Sequence, residues 1–457
     1  MSEHVFDAVV LGGGSGGYAA AIRLSELGRS VALIEKDKVG GTCLHRGCVP
    51  TKALLHVAEV ADVARDAASV GVIAEVQGLD PDRMRAYREG IVAKKHQGLQ
   101  GLLAARGITV VAGEGTLVSG PAVAVGDDLY RGTDVIVATG SYSRTLPGVE
   151  VGGRILTSET ALELPEVPRR AIVLGGGVIG VEFASLWRSL GVDVVIVEAL
   201  DHLVPNEDPA LSKGLERAFR KRGIVSHLGA RVAGVDSSAD EVSVRLENGT
   251  SLTADYLLVA VGRGPASAGL GLEEAGVALD RGFVVTDDRL RTDAAHVWAV
   301  GDIVAGLQLA HRSFQQGVFV AEEIAGLDPV IVPEAQIPRV TYSHPEVASV
   351  GLTEAQAADA HGRDRVAAYE YNLAGNAKSE IIGTGGVAKV VRIVDGPIVG
   401  VHLVGDRVGE LISEGQLAVG WEAHPEDIAP FVHAHPTQSE ALGEAFLALA
   451  GKPLHAL

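Results

Sequence analysis

The sequence has few cysteines, few aromatic residues and no excess of positive charge. Its 457 residues include two cysteines, three tryptophans and two methionines. Two cysteines cannot build the disulfide framework of a small secreted domain. The formal net charge of −19 disfavours nucleic acid and anionic membrane surfaces, which repel a strongly acidic protein.

Long apolar runs are also missing. No segment reaches the ~20 apolar residues that a membrane-spanning helix requires. The sequence begins "MSEHVFDAVV", without the basic region of a secretory signal. These features predict a cytoplasmic protein that neither inserts into a membrane nor binds nucleic acid.

Glycine is abundant, with 58 residues in short clusters that follow apolar runs. The segment "FDAVVLGGGSGGYAAAIRLSELG" has the pattern of a strand, a glycine turn and a helix, and a second strand, "SVALIEKD", follows it. The segment "RAIVLGGGVIGVEFASLWRSLGVDVVIVEA" repeats this order. A duplicated βαβ unit predicts an α/β fold with two Rossmann-like dinucleotide-binding domains. Strand patterns between helical stretches from about residue 336 onward indicate a further α+β domain.

Each βαβ unit carries a Gly-x-Gly-x-x-Gly loop, followed by an acidic residue at the end of the next strand. In this pattern the first glycine permits a tight turn, the second admits a pyrophosphate and the third allows close helix packing. The loops consist of Gly12, Gly14 and Gly17, with Glu35, and of Gly175, Gly177 and Gly180, with Glu198.

Glu198 is not followed by an arginine in residues 199–204, so the second site is expected to prefer NAD to NADP. The alternative is that both glycine loops are packing turns that bind no ligand. Two dinucleotides in one chain suggest FAD paired with a nicotinamide, because a flavin accepts hydride and passes electrons onward.

Both cysteines lie in one short segment, "GGTCLHRGCVPTK", at residues 40–52. A zinc site requires about four ligands, and the chain has no second cysteine pair. A structural disulfide and two inert buried thiols are further alternatives. We favour a redox-active dithiol of Cys43 and Cys48, whose thiolates Arg46 and Lys52 would stabilise.

This segment resembles the redox-active disulfide motif of the class I pyridine nucleotide-disulfide oxidoreductases. The resemblance continues through "VATGS", "VGRGP", "WAVGDI", "VTYSHPEVASVGLTE" and "HAHPTQSEA" and covers essentially the whole chain. It implies an FAD-binding domain (1–145), an NAD-binding domain (146–264), a central segment returning to the FAD domain (265–335) and a dimerisation domain (336–457).

The resemblance also implies roles for individual residues and no metal. Cys48 would face the flavin, Cys43 would exchange with the substrate, and Lys52 would lie near the flavin with Glu182 as its partner. The residues implied to contact FAD are Gly12, Gly14, Gly17, Glu35, Gly41, Thr42, Lys52, Gly115, Thr139, Gly140, Ser141, Asp302 and Ala310. Those grouped with the second nucleotide are Gly175, Gly177, Gly180, Glu182, Glu198, Val232, Gly262 and Arg263.

The C-terminal "HAHPTQSE" contains the candidate base. A histidine near a chain end is more often structural, but oxidation of a dithiol requires a base that works near neutral pH. The resemblance assigns this role to His435 rather than His433, with Glu440 orienting the ring. It also implies that this pair reaches the disulfide of the other subunit, so that a homodimer is required.

The activity that the resemblance implies is oxidation of dihydrolipoamide with reduction of NAD⁺. The partner would be the lipoyl domain of the acyltransferase component of a 2-oxo acid dehydrogenase complex. A glutathione or mycothione reductase is the nearest alternative, but such enzymes favour NADPH. A more distant alternative is a flavin-binding protein that has lost its catalytic activity.

Three places depart from the commoner pattern of the family: the pair His45–Arg46, Gly264, and "RSFQQG" at residues 312–317. We hypothesise that Arg46 lowers the pKa of a cysteine, although variation between lineages would also explain it.

Overall fold

The computed structural model describes residues 2–455. The chain divides into two compact units, each discontinuous in sequence. The first unit contains Met1–Leu54, Asp80–Arg144 and Arg263–Val332, and the second contains Leu55–Leu79, Thr145–Gly262 and Pro333–Leu457. The finer division into four domains, with boundaries at 145, 264 and 335, stays a prediction.

The first 144 residues contain seven strands and four α-helices in their described part. The strands are β1 (Glu3–Leu11), β2 (Val31–Glu35), β3 (Thr109–Ala112), β4 (Gly115–Val118), β5 (Ala122–Val125), β6 (Asp128–Val137) and β7 (Ser141–Ser143). The helices are α1 (Ser15–Glu26), α2 (Gly41–His45), α3 (Cys48–Asp66) and α4 (Pro81–Ala105), with a 3-10 turn at Ala67–Val70. Helix α4 starts where Asp80 caps the N–H of Arg83 and proline occupies the first turn.

The next segment, 145–262, contains eight strands and three helices. The strands are β8 (Ile155–Leu156), β9 (Arg170–Leu174), β10 (Asp193–Val197), β11 (Val225–His227), β12 (Val232–Ser237), β13 (Val242–Leu246), β14 (Ser251–Ala254) and β15 (Tyr256–Val259). The helices are α5 (Ser158–Ala161), α6 (Val178–Ser189) and α7 (Pro209–Lys221).

Residues 263–332 return to the first unit. Their elements are β16 (Arg263–Pro265), β17 (Leu279–Asp280), β18 (Phe283–Val284), β19 (Val297–Ala299), a 3-10 turn at Gly301–Ile303 and α8 (Ala310–Ile324).

The C-terminal segment, described up to residue 455, mixes strands and helices as predicted. Its strands are β20 (Arg339–Thr341), β21 (Glu346–Gly351), β22 (Val366–Asn372), β23 (Val387–Ile393) and β24 (Ile398–Gly405). Its helices are α9 (Glu354–His361), α10 (Ala377–Ile381), α11 (Val408–Gly420), α12 (Pro425–Ile428) and α13 (Glu440–Leu449), with 3-10 turns at Glu334–Gln336, Arg363–Arg365 and Leu373–Gly375.

The main sheet of the first unit is parallel at its centre, in the order β3-β2-β1-β6-β19. The antiparallel pair β4–β5 extends it from the first half of β6. Strand β1 has Ala8, Val9 and Val10 fully buried, because helices cover a parallel sheet on its faces. Helices α1 and α8 approach so closely that a Cβ on Gly317 would lie 2.3 Å from the carbonyl oxygen of Gly16.

The second unit repeats the βαβ arrangement in a parallel sheet of order β11-β10-β9-β15-β8. Strands β12, β13 and β14 form a small antiparallel sheet. The C-terminal segment adds a five-stranded antiparallel sheet, β20-β21-β24-β23-β22, against which α11 and α13 pack. The predicted α/β fold class with two Rossmann-like units and a C-terminal α+β region is confirmed. Among residues 2–455, no helix has the length and apolarity needed to cross a bilayer.

Candidate active site

The first glycines of the two loops occupy turns that exclude a side chain. Gly12 and Gly175 have φ angles of +106° and +111°. A Cβ on Gly12 would lie 2.4 Å from the carbonyl oxygen of Ala138, and one on Gly175 would lie 2.3 Å from that of Ala260. Each turn is therefore closed against the strand beside it, as the sequence predicts.

The third glycines bring the following helix against the turn. A Cβ on Gly17 would lie 1.8 Å from the carbonyl oxygen of Gly12, and a Cβ on Gly180 would lie 1.9 Å from that of Gly175. No side chain fits at such distances, so both positions require glycine for packing.

The second glycines are different, because they face open space. A Cβ on Gly14 or on Gly177 would have no heavy atom within 4 Å. Both residues precede the first turn of a helix, α1 or α6, whose N-terminus receives no side-chain cap. Backbone N–H groups are thus available beside room for a ligand, which fits the pyrophosphate of a dinucleotide.

The two acidic residues tie the end of each second strand to its glycine loop. One carboxylate oxygen of Glu35 accepts the N–H of Gly13 at 2.7 Å, and one of Glu198 accepts the N–H of Gly176 at 2.5 Å. The second oxygen of each accepts the N–H two residues further along, at 2.9 and 2.8 Å. Burial raises the pKa of Glu35, and the Gly13 N–H opposes that shift. Each carboxylate is therefore already oriented where a ribose is expected.

The cysteines lie at the junction of two helices in the first unit. Cys43 is half-buried in α2, and Cys48 is exposed as the first residue of α3. Their side chains are joined by a hydrogen bond and not by a disulfide. This is the reduced form of the predicted redox pair.

The surroundings of Cys43 favour its protonated form. The hydrogen bond to Cys48, burial and the negative charge of Cys48 raise the pKa of the Cys43 thiol, in that order. The charge of Lys52 and a hydrogen bond from Ser15 act in the opposite direction but are weaker. The arrangement therefore favours the protonated thiol at Cys43.

The segment that carries the cysteines docks directly on the first glycine loop. The N–H of Gly40 donates to the carbonyl of Gly13 at 2.8 Å. A Cβ on Gly41 would lie 2.8 Å from the Cα of Gly14. Thr42 lies in the same turn, α2. The structure thus brings the predicted residues Gly14, Gly41 and Thr42 together with the cysteine pair.

Two residues beside Cys43 were not singled out from the sequence. The Ser15 hydroxyl forms a hydrogen bond with the Cys43 sulfur, and Tyr18, whose pKa burial raises to about 12, lies close enough to Cys43 to interact with it electrostatically. Both belong to α1, and only the docking of the glycine loop against α2 brings them to the sulfur. No spacing in the sequence indicates this contact.

The hypothesis for Arg46 finds no support. Its guanidinium is paired with Asp37 on the surface, and the charged groups that act on Cys43 are Cys48 and Lys52. The neighbouring His45 binds the carbonyl of Val39 at 2.9 Å.

The predicted flavin contacts beyond β6 form a second cluster in the first unit. Ser141 donates its hydroxyl proton to Asp302 at 2.6 Å. The Thr139 hydroxyl donates to the carbonyl of Ala266, whose N–H donates to the carbonyl of Gly140, both at 2.9 Å. Ala310 begins α8.

Gly115 starts β4 under the side chains of neighbouring strands. A Cβ there would lie 2.7 Å from Leu11 and 2.8 Å from Val123. Packing therefore explains why this position is glycine, and its predicted contact with FAD stays a prediction.

The remaining residues predicted for the second nucleotide lie apart in the chain. Val232 begins β12 and Gly262, with φ +107°, follows β15. Arg263 begins β16 in the first unit, where it donates to Ser141. Glu182 is buried in α6 and accepts the N–H of Tyr342 at 2.9 Å. The pairing of Glu182 with Lys52 stays a prediction.

The C-terminal motif contains two histidine–carboxylate pairs in the second unit. His435 Nδ1 lies 2.8 Å from Glu440 Oε1, and the other oxygen of Glu440 accepts the N–H of Thr437 at 2.8 Å. Burial opposes the shift, but the Thr437 N–H and His435 lower the pKa of Glu440. The His435 ring is exposed, so its Nε2 is accessible as a base.

His433 is held by a different carboxylate. Its Nε2 lies 2.8 Å from Glu414 Oε1, and its ring packs so closely on Gly443 that a Cβ there would lie 2.6 Å from the ring. His433 thus has a packing role, in keeping with the assignment of the base to His435. Among residues 2–455, no group of three or more histidine, cysteine or acidic side chains is placed to hold a metal.

Comparison with known protein families identifies the family to which this chain belongs. Residues 6–317 match the family described as pyridine nucleotide-disulphide oxidoreductase, and residues 337–446 match its dimerisation domain. The chain belongs to this family. Its cofactors are FAD and NAD(H), and the two glycine loops fit dinucleotides. The dimerisation domain supports a homodimer.

Relatives match along almost the full length. A dihydrolipoyl dehydrogenase of Bacillus subtilis is 38% identical over 98% of this chain and 99% of its own. A dihydrolipoyl dehydrogenase of Mycobacterium tuberculosis is 39% identical over 98% of each chain. The crystal structure of LpdA from Mycobacterium tuberculosis superposes with a TM-score of 0.90 at 27% identity, covering 98% of this chain and 100% of that one.

Proposed function

We propose that this protein is a dihydrolipoamide dehydrogenase, an FAD enzyme that oxidises dihydrolipoamide and reduces NAD⁺. The observation that carries the proposal is the hydrogen-bonded pair of Cys43 and Cys48, docked on the first glycine loop. Relatives named dihydrolipoyl dehydrogenase, which are 37–39% identical over 98% of this chain, support it.

The proposed reaction starts at His435. Glu440 accepts a hydrogen bond from the Nδ1–H of His435, so Nε2 presents a lone pair that removes a proton from one thiol of dihydrolipoamide. The resulting thiolate attacks the sulfur of Cys43 in the oxidised pair, which forms a mixed disulfide and releases Cys48 as a thiolate.

Exchange is completed by the second substrate thiol. It loses its proton and attacks the substrate sulfur bound to Cys43, which closes the ring of oxidised lipoamide and releases the Cys43 sulfur. That sulfur takes up a proton, as the raised pKa of Cys43 requires, while the other proton leaves through His435. The substrate loses two electrons, and the cysteine pair gains them.

Bound FAD supplies the two-electron chemistry that connects a dithiol with a nicotinamide. The residues that would hold it are the first glycine loop, Glu35 and Asp302, and Lys52 places a positive charge beside the cysteine pair. The second glycine loop and Glu198 would hold NAD, whose unphosphorylated ribose suits a carboxylate.

Two further proposals concern assembly. The His435–Glu440 pair acts on the cysteines of the other subunit of the homodimer. The dihydrolipoyl group arrives on the lipoyl domain of the acyltransferase component of a 2-oxo acid dehydrogenase complex. A cytoplasmic location is consistent with a cysteine pair that does not form a structural disulfide.

The test compares electron donors and disulfides. We expect lipoamide-dependent oxidation of NADH by the purified yellow protein and little oxidation of NADPH. Cys43→Ser and Cys48→Ser should abolish this activity but keep FAD bound, since neither change alters the glycine loop. Activity only with NADPH and mycothione or glutathione disulfide would replace the proposal with the alternative reductase.

A further inference from the structure

Each of the three side-chain nitrogens of Arg263 donates a hydrogen bond to strand β7. Its Nε donates to the Ser141 hydroxyl at 2.7 Å, and Nη2 donates to the Ser141 carbonyl at 2.8 Å. The remaining nitrogen, Nη1, donates to the Ser143 hydroxyl at 3.2 Å. The sequence predicted that Arg263 contacts the nicotinamide nucleotide, whereas these three hydrogen bonds lie within the first unit.

These contacts determine which way the Ser141 hydroxyl donates its hydrogen bond. Arginine can only donate, so Arg263 occupies a lone pair of the serine oxygen and leaves the serine proton for another acceptor. That acceptor is Asp302 Oδ2, at 2.6 Å. Three residues far apart in sequence therefore form a one-way chain of hydrogen bonds that ends on a carboxylate.

Neighbouring contacts hold both ends of this series of hydrogen bonds in place. Strand β16 pairs with β7 so that Gly264 lies opposite Tyr142, and a Cβ on Gly264 would lie 2.7 Å from the tyrosine ring. This close packing explains why glycine stands at 264, where the sequence departs from the commoner pattern. At the other end, the side chain of Gln316 accepts the N–H of Gly301, beside Asp302, at 2.8 Å.

We propose that Arg263 is a positioning residue of the flavin site, which orients Asp302 through Ser141. Asp302, with one oxygen satisfied by serine, then presents its other oxygen to a hydroxyl group of FAD. This inference rests on the proposed function, because it takes FAD as the ligand of the first unit. It moves Arg263 from the nicotinamide nucleotide to the flavin.

The experiment measures the two cofactors separately. Arg263→Met keeps the reach of the side chain and removes its donors, and Ser141→Ala removes the middle of the chain. FAD is removed from each protein, and its Kd is measured by flavin fluorescence. The KM for NADH is measured with ferricyanide as electron acceptor at saturating FAD, so that no step requires lipoamide.

We expect both variants to bind FAD about tenfold more weakly, the loss of one charge-assisted hydrogen bond. The double variant should be no weaker than either single variant, because both changes break the same chain. The KM for NADH should stay within about twofold of the wild-type value if Arg263 does not touch that nucleotide. Arg281→Met, which removes an exposed arginine of the same unit, is the matched control and should change neither value.

Other outcomes overturn the inference. A raised KM for NADH with unchanged FAD affinity in Arg263→Met returns that residue to the nicotinamide nucleotide. Additive losses of FAD affinity in the double variant mean that the two residues act independently. If Arg263→Met does not fold, the FAD affinity of Ser141→Ala, a smaller change, tests the inference by itself. If the variants show the expected losses of FAD affinity but the wild-type protein does not use lipoamide, the proposed function is refuted and this inference stands.

Discussion

At the residue scale, two histidines separated by one position have different surroundings. His435 is exposed with its Nδ1 on Glu440, while His433 is half-buried between Glu414 and Gly443. The exposed ring can meet a substrate, and the buried ring supports the segment. Residue type alone does not separate these roles, since both residues are histidines in the same loop; only the match of His435 to the family motif does.

The first prediction concerns His435. His435→Gln should lower kcat with dihydrolipoamide by about 10²- to 10⁴-fold, because a positioned general base is lost. Oxidation of NADH by ferricyanide should be nearly unchanged, since it needs no thiol deprotonation. Glu440→Gln should have a smaller effect of the same kind, because it removes only the group that orients the ring.

The control for this prediction is His433→Gln, which should keep most of the lipoamide activity. If His433→Gln is as inactive as His435→Gln in steady-state assays, the assignment of the base is wrong.

The second prediction uses the pKa of His433. Its hydrogen bond to Glu414 raises this pKa above the ordinary value of 6.5. A raised folded-state pKa means that the charged pair stabilises the protein below pH 6.5 and that this stability is lost as pH rises through the folded pKa. His433→Gln should therefore destabilise the protein by about 1 kcal/mol at pH 6 and by less at pH 9. Thermal melting at both pH values measures this.

Glu414→Gln is the matched change on the partner, and it should reproduce the same dependence on pH. Equal destabilisation by His433→Gln at pH 6 and pH 9 would show that packing on Gly443, and not charge, is what matters.

At the element scale, the strand–glycine–helix units were readable from the sequence because their physics is local. The apolar run of β1, the positive φ at Gly12 and the contact of Gly17 with the Gly12 carbonyl all lie within a short segment. The same holds for the repeat that starts at β9. The docking of Gly41 on Gly14 was not readable, because it joins two segments through space.

The candidate site also contains features that the sequence predicts and features that it does not. The cysteines, the glycines and the pair His435–Glu440 follow from types and spacing, with the resemblance to a family supplying their roles. The contact of Ser15 with Cys43 and the chain from Arg263 to Asp302 depend on how loops from distant segments pack. Closeness in sequence also suggested that Arg46 acts on a cysteine, whereas the observed ion pair of Arg46 is with Asp37.

The third prediction separates the two functions of glycine in one loop. A Cβ on Gly180 meets the Gly175 carbonyl at 1.9 Å, so Gly180→Ala should destabilise the protein by about 3 kcal/mol or more. A Cβ on Gly177 meets nothing, so Gly177→Ala should leave the melting temperature nearly unchanged. It should still raise the KM for NADH, because the methyl group occupies the space expected for the pyrophosphate.

NADH kinetics with ferricyanide and thermal melting test both variants together. A Gly177→Ala protein that binds NADH normally would show that the second loop is a packing turn without a ligand, the alternative that the sequence left open.

At the scale of the whole molecule, the chain combines a duplicated nucleotide-binding unit with a C-terminal sheet that matches a dimerisation domain. The duplication accounts for two dinucleotide sites but not for the proposed base. The proposed base, His435, lies in the turn before α13, in the C-terminal segment. If each active site takes its cysteines from one subunit and its histidine from the other, dimerisation is a requirement of the chemistry.

The last prediction tests this sharing with two inactive variants. Cys48→Ser retains His435, and His435→Gln retains Cys48. In a mixed dimer with shared sites, one site carries both defects and the other carries none. Random reassembly of equal amounts should therefore restore about a quarter of the wild-type lipoamide activity, since half of the dimers are mixed and each has one intact site. Reassembly of either variant with itself is the control and should stay inactive. If every site is built from one chain, the mixture also stays inactive and the proposed subunit sharing is wrong.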